Sequence, residues 1–179
     1  TKANVDPHGN PKTPQFYRRE MVKALETARV GVKPDGIGVV VFAESSTASW
    51  EAMLGAVIEA GWLISGSWPI DTELQTRTQA AGSASLQSSI HIVCRPRENP
   101  DAFQSEEIGD WRDVLQELPR RIHDWMPRLA EEGVVGADAI FACLGPALEI
   151  FSRYSRVEKA SGEVVTLKEY LEQVWAAVA

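Results

Sequence analysis

The side chains that most often carry chemistry are few and scattered in this sequence. His8, His91 and His123 stand far apart, on what the surrounding pattern predicts to be a loop, a strand and a helix. No HxxxH and no Cys/His spacing points to zinc. Cys94 and Cys143 lie in apolar runs without a CxxC, so they are expected to be inert core thiols. A Ser–His–Asp set can be drawn from such parts, but no nucleophile elbow presents the serine. The 13 glycines include no GxGxxG; Gly36-Ile37-Gly38 comes nearest, and Val39 follows it. The sequence thus predicts no catalytic residue, no cofactor-binding residue and no metal ligand within this chain.

Its polar candidates suit binding better than catalysis. Asp71 to Ser88 is rich in Thr, Ser, Gln, Ala and Gly, and a connection of that length is usually functional or mobile. Arg77 can contact a phosphate, and Thr76, Thr78, Ser83, Ser85 and Ser88 can hydrogen-bond a nucleic-acid backbone. Trp68, at the edge of this stretch, can stack on a base; the plainer expectation is a core tryptophan beside a polar loop. Glu44, Ser45, Ser46 and Thr47 follow a predicted strand, a favoured position for site residues, although Ser46 or Thr47 also serves as a helix N-cap. Lys12, Arg18, Arg19, Lys23, Arg29 and Lys33 make the N-terminal helix region basic. Such charges face either DNA or solvent.

The elements that must position these groups are legible from periodicity. Thr13-Pro14 is an N-cap with Pro at the first helical position, and Tyr17, Met21, Leu25 and Ala28 predict a helix to about Val30. After the Lys33-Pro34-Asp35-Gly36 turn, Ile37 to Phe42 is an apolar run. It predicts a strand buried on both faces, central in a parallel sheet. Trp50, Met53, Leu54, Val57 and Ile58 predict a second helix. Trp62 to Ile70 and Ser89 to Arg95 are two further strands, the latter with Ile90, Ile92 and Cys94 on one face. Residues 96–109 form an acidic linker. Beyond it Trp111, Leu115, Leu118, Ile122, Trp125 and Leu129 make a helical stripe, with Pro119 expected to kink or break it. Ala137, Ile140, Phe141, Leu144 and Leu148 make another, interrupted by Gly145-Pro146. Ala160 to Glu163 is a turn, expected to be free or to join short strands, and Thr166-Leu167-Lys168-Glu169 is a capping box opening the last helix.

Composition and charge narrow the class. The 179 residues are 44% hydrophobic and 24% charged, which excludes a disordered, collagen-like or coiled-coil chain. No apolar run approaches the roughly 20 residues of a membrane span, so no membrane partner is expected, and two cysteines without a disulfide framework fit a cytoplasmic setting. The net charge of −7 is unevenly placed: residues 1–97 carry +1 and residues 98–179 carry −8. The first residue is Thr, and three strands with flanking helices make half of a doubly wound α/β sheet. Both predict a piece of a longer protein or a processed product.

Several blocks carry a resemblance. Lys33-Pro34-Asp35-Gly36 before a VVVF strand is similar to a turn common in Rossmann-type methyltransferases. Phe42-Ala43, Thr47, Trp50-Glu51-Ala52, Gly61-Trp62, Ser67-Trp68-Pro69-Ile70, Ser88-Ser89-Ile90 and Val93-Cys94-Arg95-Pro96-Arg97 follow in order. Farther on stand Gly145-Pro146-Ala147-Leu148-Glu149 and Phe151-Ser152-Arg153-Tyr154. From about residue 14 to the end, the series resembles the C-terminal part of the family of large proteins assigned as adenine-specific DNA methylases. Glu44-Ser45 departs from it, since basic residues are common there. The resemblance implies S-adenosylmethionine as the parent's cofactor and the N6 of adenine in DNA as its target, the base being flipped and stacked on an aromatic. It also implies a Gly-rich turn and an Asp/Asn-Pro-Pro-Tyr/Phe loop, both upstream of residue 1. Asp6-Pro7-His8-Gly9 begins like that loop but lacks the second Pro and the aromatic.

The expectation is therefore an α/β chain: the C-terminal half of a doubly wound Rossmann-type methyltransferase sheet, with about three strands and flanking helices, plus a C-terminal helical lobe. Residues 1–97 would be the partial Rossmann-like region and residues 98–179 the acidic lobe. The chain would complete the parent's sheet and offer a DNA-facing loop through Trp68, Arg77, Thr78, Ser83 and Ser88, with Glu44, Ser45 and Ser46 as a second site loop. Alone it would be inactive and hold no cofactor. Its partners would be DNA, the missing N-terminal half and another copy through an exposed sheet edge. The alternative is a non-enzymatic protein-interaction or DNA-binding module.

Overall fold

The computed structural model of the protein describes residues 5, 13–44, 46–71, 88–98 and 108–178. Thr13 opens α1 (Pro14–Val30) by accepting a hydrogen bond from the Phe16 amide, with Pro14 in the first turn. Then come β1 (Gly38–Phe42), α2 (Thr47–Glu59), β2 (Trp62–Asp71) and β3 (Ser88–Pro96). The acidic region holds β4 (Ile108–Asp110), α3 (Trp111–Glu131), α4 (Gly136–Ala142), α5 (Leu144–Ser152), β5 (Arg156–Glu158) and α6 (Leu167–Val178). The class is mixed α/β, with helices around a small sheet. No helix among the described residues is long and apolar enough to cross a membrane.

The sheet has the order β1-β3-β2, and β3 is antiparallel to both neighbours. This corrects the expectation of parallel pairing for β1. Among the named strands β1 lies at an edge: Gly38, Val40 and Phe42 turn partly inward while Val39 and Val41 are 53% and 56% exposed. A continuous apolar run looks the same whether one face or both are covered. The stretch buried on both faces is instead the start of β2, where Trp62, Leu63 and Ile64 are all buried in succession. Its middle is pressed against α5. A Cβ on Gly145 would lie 2.5 Å from Ser67 Oγ and collide with the β2 backbone. Ser67 Oγ donates to the Ala142 carbonyl at 2.6 Å and accepts from the Gly145 amide at 2.8 Å, tying β2 to the α4–α5 junction.

An aromatic series runs from the sheet into the acidic region. Phe42 of β1 meets Trp50 edge-on at 4.8 Å, Trp50 stacks on Phe141 of α4 at 5.0 Å, and Phe141 meets Trp175 of α6 at 5.5 Å. Trp50 is fully buried. Each such contact adds about 0.5–1.5 kcal/mol to the burial of its rings. The split in charge at residue 97 is thus not a split in packing, because one hydrophobic cluster includes residues from both sides of it.

α3 continues through Pro119 and Pro127 without a break. Beyond residue 97 the chain also holds short strands: β4 and β5 pair in parallel, and Glu158 bridges Val164 across the predicted turn, as short strands flanking it would. The capping box forms as its spacing predicts, with Thr166 Oγ1 accepting from the Glu169 amide and Glu169 accepting from the Thr166 amide.

Candidate nucleic-acid interface

The register gathers the predicted site positions at one end of the sheet. Phe42 pairs with Ile90, and Ile90 with Pro69. β1 and β2 are both antiparallel to β3, so their carboxyl ends point the same way. The Glu44–Ser46 loop, Trp68 and the start of β3 at Ser88 therefore share an edge. In open α/β sheets ligands bind outside the carboxyl ends of strands.

Within this edge the side chains divide. Ser46 caps α2, its Oγ accepting from the Ser49 amide at 3.4 Å. The Glu44 carboxylate accepts from the Ser46 amide at 3.3 Å, and its carbonyl accepts from Trp50 Nε1 at 2.6 Å. Both residues are thus committed to starting α2 and seating Trp50. Ser88 pairs with Asp71 through the backbone. Arg77, Thr78 and Ser83 lie outside the described residues, as do Ser45, Thr76, Ser85, Lys12 and His8.

Trp68 is not a core residue. It is 49% exposed on the face of β2 opposite Ser67, and its ring meets Trp125 of α3 at 5.8 Å and 65°. The Arg128 guanidinium lies 5.9 Å from the centre of the Trp125 ring, at cation–π range. Arg128 has no ion-pair partner among the described residues. Beside Trp68 on β3 stands His91, which in turn faces Val41 of β1. His91 Nε2 is buried without a hydrogen-bond partner. The sequence places Trp125 in a packing stripe only and gives Arg128 no role. Their spacing of three places them on one helix face, but nothing local links that face to Trp68 in a distant strand.

The basic face of α1 is largely neutralised. Arg18 pairs with Glu59 at 2.9 Å, Arg19 and Lys23 with Glu20 at 2.9 and 3.0 Å, and Arg29 with Glu98. Hydrogen bonds from Arg19 and Lys23 lower the Glu20 pKa. The C-terminal blocks behind the resemblance are occupied with structure. Glu149 pairs with Arg121 at 2.6 Å, Glu117 joins Arg121 and Arg153 at 2.9 Å each, and Arg97 donates to the Ser152 carbonyl at the end of α5. Burial lowers the Arg97 pKa, partly offset by Glu98. The Tyr170 hydroxyl donates to the Ala147 carbonyl at 2.5 Å, and burial raises its pKa strongly. Burial also pushes the Cys94 thiol up to about 12 and the Cys143 thiol to about 11, which suits inert packing rather than nucleophilic chemistry.

The glycine pair nearest to a cofactor turn has a packing role. A Cβ on Gly38 would lie 2.8 Å from the Trp62 ring, so this glycine makes room for Trp62. Among the described residues no group of three His, Cys, Asp or Glu side chains is placed to hold a metal ion. No family model, no curated protein and no solved structure matches the chain.

Proposed function

We propose that this chain is the C-terminal segment of a DNA adenine-N6 methyltransferase, finishing a Rossmann-type sheet and offering a DNA-facing edge. The observation that carries the reading is the three-stranded sheet itself. Among the named strands β1 has only β3 beside it and an apolar outer side, and its carboxyl end shares a side with the end of β2 and with Trp68. Such a sheet is built to be continued past β1. The missing N-terminal half would supply the neighbouring strands, the S-adenosylmethionine site and the catalytic loop. This chain would supply the end of the sheet and the surface beside the DNA, and would be inactive alone. The ordered sequence blocks from Phe42 to Tyr154 support the same reading.

Co-expression with the coding sequence upstream of Thr1 tests it. The expected result is a stable pair that transfers methyl groups from S-adenosylmethionine to adenine N6, with calorimetry detecting no cofactor binding to this chain alone. Micromolar cofactor affinity for the isolated chain, or an upstream sequence without a Gly-rich turn and an Asp/Asn-Pro-Pro-Tyr/Phe loop, would overturn it.

A second reading, a non-enzymatic interaction module, is favoured by one feature. Ile37, Val39 and Val41 line an exposed aliphatic strip along β1, and such strips mark protein contacts. Under this reading the strip binds a different protein, and co-expression with the upstream region yields no methylation.

A further inference from the structure

The exposed apolar surface is of two chemical kinds. Along β1 it is aliphatic. At the end of β2 it is mainly aromatic, with Ile70 beside it, and adjoins a cation: Trp68 half-exposed, Trp125 edge-on to it, and Arg128 beside the Trp125 ring without a carboxylate partner among the described residues.

We infer that the Trp68–Trp125–Arg128 corner is a stacking seat for an unpaired base of single-stranded DNA. Each member has a part. A half-exposed indole offers π surface that any base can cover, at little ordering cost for so rigid a side chain. Trp125 meets Trp68 edge-on and so steadies that ring from the helix side. Arg128 can leave or share the Trp125 ring to meet the phosphate attached to the seated base. The charge of the corner selects this occupant. A cationic guest, such as a methylated lysine in an aromatic cage, would meet Arg128 already beside the ring. An aliphatic helix would find a better surface along β1.

The surroundings set the character of the binding. α3 also carries Asp124 and Glu131, both exposed, and the region beyond residue 97 has a net charge of −8. Coulomb attraction across the surface is therefore poor, and affinity must come from stacking with one local phosphate contact. That gives a shallow salt dependence: a slope of log affinity against log salt of about −0.7, the value for one phosphate on a single strand.

This inference rests on the DNA reading above, and the experiment separates the two. A short oligothymidylate is titrated against the full chain while tryptophan emission is followed at several salt concentrations. The seat predicts quenching on binding. Trp68→Ala should lose most of the quenching and weaken binding about ten- to hundredfold, while Trp68→Phe keeps binding. Arg128→Ala should bring the salt slope near zero. Binding by Trp68→Ala equal to that of the unaltered protein, or a slope several times steeper, overturns the seat and leaves the DNA reading standing. No binding of either the oligothymidylate or a duplex overturns both. Preference for a trimethyl-lysine peptide over the oligothymidylate overturns the seat in favour of a cation cage.

Discussion

The two edge strands of one small sheet have opposite fates. β2 is covered along its first half: Trp62, Leu63 and Ile64 are buried in succession, and Ser67 is bolted to the α4–α5 junction by two hydrogen bonds. β1 is left open, with Val39 and Val41 facing outward and no charged residue between Gly38 and Phe42. Isolated domains usually protect an apolar edge with a lysine, a proline or a bulge. β1 has none of these, whereas β2 bears a register shift between Ile64 and Gly66 and a proline at position 69. The contrast teaches that, among the described residues, helices cover one side of the sheet far more than the other.

Substitutions can break this contrast, and the largest effect is expected on the closed side. Gly145→Ala drives a methyl group into the backbone of β2 at Gly66 and Ser67, neither of which can swing away. A loss of about 3 kcal/mol in urea unfolding is expected, near the top of the usual range for overpacking; an unchanged midpoint would mean that α5 does not press on β2. Ser67→Ala comes next. It leaves the Gly145 amide without its acceptor and the Ala142 carbonyl without its donor, and should cost about 1–3 kcal/mol by the same measurement.

On the open side the expected signs differ. Val39→Lys with Val41→Lys should change stability by less than about 0.5 kcal/mol, as exposed substitutions do, yet abolish association through β1. Sedimentation of the unaltered chain should show self-association that rises with concentration, since the strand can pair with a second copy when no other strand covers it. A strictly monomeric species at high concentration would mean that the edge is covered by this chain itself.

The smallest effect concerns α6, which packs against α5 on the closed side. Lys159 first, then the Thr166 amide and hydroxyl, hold the Glu169 pKa down to about 2. A carboxyl group whose pKa is depressed by folding stabilises the fold above its ordinary range. That contribution fades as pH falls from about 4.5 towards 2. The groups are exposed and screened. Unfolding curves should therefore show a slight acid-side loss that Glu169→Gln removes; an identical acid profile in the variant would assign the loss to other carboxylates.

Local structure was largely legible in the sequence, because its causes are local. Thr13-Pro14 caps α1, the Thr166–Glu169 box caps α6, and the periodic stripes locate α1, α2 and α3 to within a residue or two. β4 was not legible, and β5 only as one of the short strands that the turn at Ala160 to Glu163 can join. Each is three residues long, and each is a strand only because the other lies beside it. Pro119 predicts a kink or a break; α3 continues through it without a break, with Val114 and Ile122 buried before and after it. The candidate interface was legible in part: Trp68 stood out by its position after a strand, but its partners Trp125 and Arg128 did not.

What the sequence determined by itself was the set of elements, their caps, the inert character of the cysteines and the uneven charge. These depend on residue type and on neighbours within a few positions. What only the tertiary structure decided was which edge of the sheet is closed, that charge and packing divide the chain differently, and that Trp68 lies against Trp125 in the open. Those outcomes depend on pairing and burial between distant segments. A run such as Gly38 to Phe42 has the same composition whether its outer face meets another layer or water.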